Sequence, residues 1–106
     1  MLDGIIFGNE NEREAAKIIY DKLSKRGNDM KLLVLNGIEG GNTITFIDEF
    51  INDRDFVAFV LSTKPKKFKT PFRVLAPELK IVENIAMQKG KIIYYITPEE
   101  ANGDWE

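Results

Sequence analysis

Phe56-Val57-Ala58-Phe59-Val60-Leu61-Ser62 (FVAFVLS) is apolar on both faces for six residues before it reaches Ser62 and Thr63. A run this short, rich in Val and Phe and bounded by Asp55 and a Lys/Pro cluster, reads as a strand in the middle of a sheet that is covered on both sides. The rest of the chain can be placed around it.

The chain has 106 residues, 43% hydrophobic and 30% charged, which fits one soluble globular domain with a single core. A formal net charge of -2 implies no nucleic acid, membrane or acidic partner from overall balance. The sequence contains neither cysteine nor histidine. Disulfides, thiolate nucleophiles, Ser-His-Asp triads, structural zinc sites and histidine relays are therefore excluded, leaving carboxylate, hydroxyl, Lys, Arg and backbone chemistry. The opening MLDGIIFGNENE turns acidic too soon for a signal peptide, and no segment approaches the ~20 apolar residues of a membrane span. A cytoplasmic setting is the expectation.

Gly4 to Phe7 reads as a buried first strand that leaves the sheet at Gly8. Asn11 and Glu14 form a capping-box-like start to a helix in which Ala15, Ile19 and Leu23 recur at helical spacing, and Gly27 ends it. Lys31 to Leu35 is a second strand, followed by a glycine-rich loop that includes Asn36, Gly37, Gly40, Gly41 and Asn42. Thr43 to Asn52 has β-branched residues, which suit a strand paired with Leu32 to Leu35. The recurrence of Ile44, Ile47 and Ile51 instead predicts a helix capped by Asn42 or Thr43. A basic loop runs from Thr63 to about Arg73. Pro77 then starts a helix with Leu79, Val82 and Ala86 on its apolar side, ending at Gly90. Lys91 to Thr97 is the last strand, after which Thr97, Pro98 and Glu100 cap one more turn.

This alternation predicts a single α/β domain: a flavodoxin-like or Rossmann-like three-layer sandwich on a four-stranded, mainly parallel sheet. Right-handed crossovers give the strand order 2-1-3-4. In such sheets ligands sit at the carboxyl ends of the strands where the build-out reverses, between the first and third. Gly8, Asn9 and Glu10 line one wall of that crevice, with Ser62, Thr63 and Lys64 on the other.

The chemistry offered there is limited. Gly8-Asn9-Glu10-Asn11-Glu12 lacks a dinucleotide or phosphate-loop fingerprint, and its acids would repel a phosphate. A turn with acids favouring the positive helix end accounts for it, although Glu10 could hydrogen-bond a ribose or base. Lys64, Lys66, Lys67, Lys69 and Arg73 occur without an acid among them and are interleaved with Phe68 and Phe72. That pattern suits a phosphate-bearing ligand, or equally a solvated loop whose phenylalanines pack inward. One basic loop is a small footprint for nucleic acid. Glu78, in the first turn of the third helix, and Glu83, one to two turns later, are the candidate carboxylates. A solvent-excluded carboxylate beside a sugar can act as nucleophile or stabilise an oxocarbenium-like transition state.

The opening strand, the helix ending L-x-x-x-G (Leu23 to Gly27), the segment I-D-E-F-I-x-x-x-D-F-V-A-F-V-L-S (Ile47 to Ser62) and E-N-I-A-x-x-x-G-K-I-I-Y (Glu83 to Tyr94) form one pattern. It resembles the Toll/interleukin receptor-like (TIR-like) domains and the nucleoside deoxyribosyltransferase-like domains. The resemblance implies a flavodoxin-like sheet and one of two roles: cleavage of an N-glycosidic bond in NAD or a nucleoside, or non-catalytic assembly and signalling. Spacing to Gly90-Lys91 maps the families' glutamate onto Glu83, whereas position at the helix start favours Glu78. The expected ligand is a nucleotide or nucleoside, with Lys64 and Lys66 meeting phosphate and Ser62 and Glu10 meeting sugar or base; no cofactor is specified. The alternative is a protein-interaction module that self-associates as a homo-oligomer, through the basic loop or an edge strand. Convergence of the glutamate and the basic loop would mark the enzyme; an exposed apolar patch or edge strand would mark the module.

Overall fold

Successive residues of a strand face opposite sides of its sheet, and the first strand uses both: Ile5 and Phe7 enter one core, Ile6 the other, and all three are fully buried. The computed structural model of the protein describes residues 2–36, 40–63 and 73–103. In chain order it contains β1 (Asp3–Asn9), a 3-10 turn (Glu10–Glu12), α1 (Arg13–Lys25), β2 (Asp29–Leu35), α2 (Gly40–Asn52), β3 (Phe56–Val60), β4 (Ser62–Thr63), β5 (Arg73–Val74), α3 (Pro77–Gln88), β6 (Ile92–Ile96) and α4 (Pro98–Ala101). The main sheet has the order β2-β1-β3-β6 and every pairing in it is parallel. This is the expected flavodoxin-like α/β sandwich. β3 is buried along its whole length, as its unbroken apolar run requires.

The two cores lie on opposite sheet faces. On one face, Val57 and Phe59 of β3 pack with Ile47 and Ile51 of α2 and Leu79, Val82 and Ala86 of α3. On the other, Phe56, Ala58 and Val60 pack with Ala15, Ala16 and Ile19 of α1 and Ala101 of α4. Burying a side chain of the Leu or Ile class contributes about 1.5–3 kcal/mol, so the two helical stripes fix which face each helix covers. Gly27 and Gly90 end α1 and α3 with φ of 90° and 68°, the left-handed region expected of a helix-terminating glycine. Thr97 and Glu100 form the expected capping box, with the Thr97 hydroxyl accepting from the Glu100 amide at 3.2 Å.

Several boundaries differ from expectation. β1 does not leave the sheet at Gly8, which still pairs with Val34. Asn9, not Asn11, caps the helical entry: its side-chain oxygen accepts from the Asn11 amide at 2.8 Å, a 3-10 turn follows, and α1 proper begins at Arg13. Gly40 to Asn42 are not loop, nor do Asn42 and Thr43 cap α2; all lie inside the helix. Anchoring Ile47 and Ile51 in the core outweighs the ~1 kcal/mol that each helical glycine costs. β3 ends at Val60 rather than Ser62. Its neighbour β6 runs out there, since the Thr97 amide turns to its own cap and Pro98 has none to offer. Ser62–Thr63 instead pairs antiparallel with Arg73–Val74.

Candidate functional site

The carboxyl ends of β1 and β3 bring some of the expected residues together and separate others. Asn9, the last residue of β1, donates its side-chain amide to the carboxylate of Glu78 in the first turn of α3, and the contact is partly buried. Pro77 preorganises that turn and the buried Leu79 orients it, which carries Glu78 to the β1 end. Gly8 has a packing role: a Cβ built there would lie 3.1 Å from the Ala16 Cβ, so its absence lets α1 lie close on β1. Glu10 forms a two-pronged pair with Arg13, at 3.0 and 2.6 Å. That hydrogen bond lowers the Glu10 carboxyl below its ordinary range, and the guanidinium rises in turn. Ser62 and Thr63 are joined through the backbone to Val74 and Arg73. Lys64 and Lys66, the expected phosphate contacts, lie outside the described residues.

Glu83 is not at the crevice. It sits at the β6 edge, where its carboxylate accepts a hydrogen bond from the Tyr95 hydroxyl. The two candidate carboxylates are therefore held by different strands, Glu78 by β1 and Glu83 by β6. The hydrogen bond to Glu83, then desolvation and the negative charge, push the Tyr95 phenol above its ordinary range. A raised phenol favours the protonated form, so the contact's contribution is present below the ordinary tyrosine value of about 10 and is lost as pH rises through the raised one. Compared by ultraviolet pH titration with the unsubstituted protein, Glu83→Gln is expected to bring the Tyr95 phenol back down toward its ordinary range. Unchanged titration in Glu83→Gln would contradict the pairing. Among the described residues no group of three or more acids is placed to hold a metal ion.

An apolar surface feature lies elsewhere, over β3 and β6. α1 lies over β1 and β2 and touches α4, while a trough of about 340 Å³ opens over β3 and β6, lined by Leu2, Leu23, Phe56, Ala58, Tyr94 and Ile96. Beside it runs β6, which pairs with β3 on one side and, among the described residues, with no strand on the other. Ile92, Tyr94 and Tyr95 are 55%, 49% and 44% exposed. Tyr94 meets Phe56 edge-to-face at 5.6 Å on the α1 side, and Tyr95 stacks on Phe59 at 6.1 Å on the α3 side. The sequence carried a signal for this surface in I-I-Y-Y-I (Ile92 to Ile96), which is apolar on both faces. Among the described residues no helix is long and apolar enough to cross a membrane.

Comparison with protein-family models, with curated proteins and with solved structures gave no match.

Proposed function

We propose that this chain is a non-catalytic protein-interaction module on a flavodoxin-like scaffold, docking through the β6 edge and the apolar trough beside it. The observation that carries this reading is the half-exposed Ile92, Tyr94 and Tyr95 on a strand with one side unpaired among the described residues. An open edge is a template for another strand, and proteins that must avoid pairing blunt it with Pro, Lys or a bulge inside the strand. Ile92 to Ile96 carries none of these. The crevice supports chemistry less well: Glu10, Glu78 and Glu83 are engaged by Arg13, Asn9 and Tyr95, and Glu83 is held at the β6 edge.

A photo-crosslinking residue at Tyr94 is expected to give a covalent protein adduct in extract of the native cells. The same residue at the exposed Lys17 of α1 is expected to give none. No adduct at position 94, or equal adducts at both, would overturn the reading.

The Asn9–Glu78 contact favours a second reading, a nucleotide- or nucleoside-binding domain similar to the TIR-like and deoxyribosyltransferase-like families. Glu78, standing at the carboxyl end of β1, would then face the glycosidic carbon. Ligand at ~100 times its dissociation constant adds about 2.7 kcal/mol to stability, so a thermal-shift screen against NAD, ADP-ribose, nucleoside monophosphates and deoxynucleosides separates the two. A raised midpoint that Glu78→Gln abolishes would favour the nucleotide; a flat screen favours the module.

A further inference from the structure

We infer that the occupant of the β6 edge is a second copy of this chain, with two β6 strands paired antiparallel about a two-fold axis at Tyr94 to make a continuous eight-stranded sheet. The inference rests on the interaction-module reading and names its partner. Main-chain parity selects the register. The Leu61 amide donates to the Ile96 carbonyl, so the main-chain groups of Ile96 face β3, and alternation turns those of Tyr94 and Ile92 the same way. The amides and carbonyls of Ile93 and Tyr95 therefore face outward. With the axis at Tyr94, Ile93 of each copy exchanges both hydrogen bonds with Tyr95 of the other. An axis at Ile93 would require the Lys91 amide, which donates to Ala86, and an axis at Tyr95 would require the Thr97 amide, which turns to Glu100. The Tyr94 register draws only on groups that the fold leaves outward.

The side chains agree with that register. Ile92 of one copy lies opposite Ile96 of the other, and the two Tyr94 rings meet on the α1 side, each already backed by Phe56. On the opposite face Ile93 of each copy lies opposite Tyr95 of the other, an aliphatic–aromatic pair made twice, while the Lys91 ammonium stays with the Asn52 carbonyl of its own chain at 2.9 Å. Three half-exposed side chains of about 200 Å² each, with the main chain and flanks of residues 91–97, give on the order of 500 Å² per copy. The total of ~1,000 Å² is at the lower limit for a specific interface, so the dimer is expected in the micromolar range.

Sedimentation velocity on the whole chain, from ~1 μM to ~1 mM, is the test. The mass is expected to rise from 12.1 kDa to twice that value. Tyr94→Glu and Tyr94→Lys are each expected to remain monomeric, because each sets like charges against one another at the axis. An equimolar mixture of the two is expected to recover the doubled mass, since position 94 then meets its opposite. Far-ultraviolet circular dichroism confirms that both variants are folded. A wild-type chain that stays monomeric across the range, a dimer that survives Tyr94→Glu, or folded variants whose mixture stays monomeric would overturn the β6-to-β6 dimer. Monomeric wild type combined with a Tyr94 adduct to a different protein would overturn the second copy alone. Monomeric wild type with no adduct would overturn the module reading with it.

Discussion

Phe59→Ala is expected to remove about 3–5 kcal/mol of stability, the range for deleting a buried aromatic ring from a packed core. Phe59 is fully buried in β3, and its ring stacks on Phe7 at 5.8 Å and on Tyr95 at 6.1 Å. Truncation deprives both neighbours of a partner and opens a cavity between β3 and α3 that backbone on two sides prevents from collapsing. Against the 5–15 kcal/mol typical of a domain, a loss of that size leaves little margin. Urea denaturation is the measurement, with a midpoint expected to fall by roughly 2 M at the slopes usual for small proteins. Tyr95→Phe keeps the outer ring of the stack and loses only a hydroxyl, so it should shift the midpoint far less. A loss below ~1 kcal/mol in Phe59→Ala would mean that this region repacks freely and that the stack is incidental.

Gly8→Ala is expected to cost on the order of 1–3 kcal/mol by overpacking, because the added methyl would stand 3.1 Å from the Ala16 Cβ. Both atoms are fixed by backbone, one in β1 and the other in α1, so relief requires the helix to move. Ala16→Gly alone should cost about 1 kcal/mol through helix propensity. In the double variant the clash is gone, and the combined loss is expected to be smaller than the two single losses added together. Strict additivity would show that α1 and β1 do not press on each other here. The same cycle tests what Gly8 is for: a ligand-cradling glycine would disturb binding without this coupling to Ala16.

How much of this was legible in the sequence depends on whether a residue's role is set by its neighbours in the chain or by partners far from it. β3, α1 and α3 were readable because FVAFVLS is apolar on both faces, and Ala15-Ile19-Leu23 and Leu79-Val82-Ala86 repeat with the helical period. The parallel order followed from handedness once the elements alternated. Helix entries were less legible, because Asn9 and Asn11 are equally suitable caps and only the pairing of Gly8 with Val34 decides how far β1 runs. The site was least legible of all. Glu78 and Glu83 stand five positions apart on one helix, yet one is taken up by Asn9 at the end of β1 and the other by Tyr95 on β6. Spacing along the helix carries no record of those partners. Tyr95 drew no notice as a binding group because aromatic residues in a strand read equally well as core.

The start of β1 is tied to the start of β3 by reciprocal contacts: the Asp3 amide donates to the Asp55 carboxylate at 2.8 Å, and the Asp55 amide to the Asp3 carbonyl at 2.6 Å, across 52 positions of chain. As the chain is synthesised from its first residue, β1 can gain β2 early, but its other flank stays bare until Phe56 and its neighbours have left the ribosome. Because every pairing in the four-stranded sheet is parallel and none is a hairpin, no two of its strands can zip together locally. The nascent protein thus exposes one flank of β1, with its apolar Ile5, Ile6 and Phe7, during the longest wait of its assembly. Slower translation through residues 36–55 is expected to lengthen that exposure, and with it the demand for a chaperone.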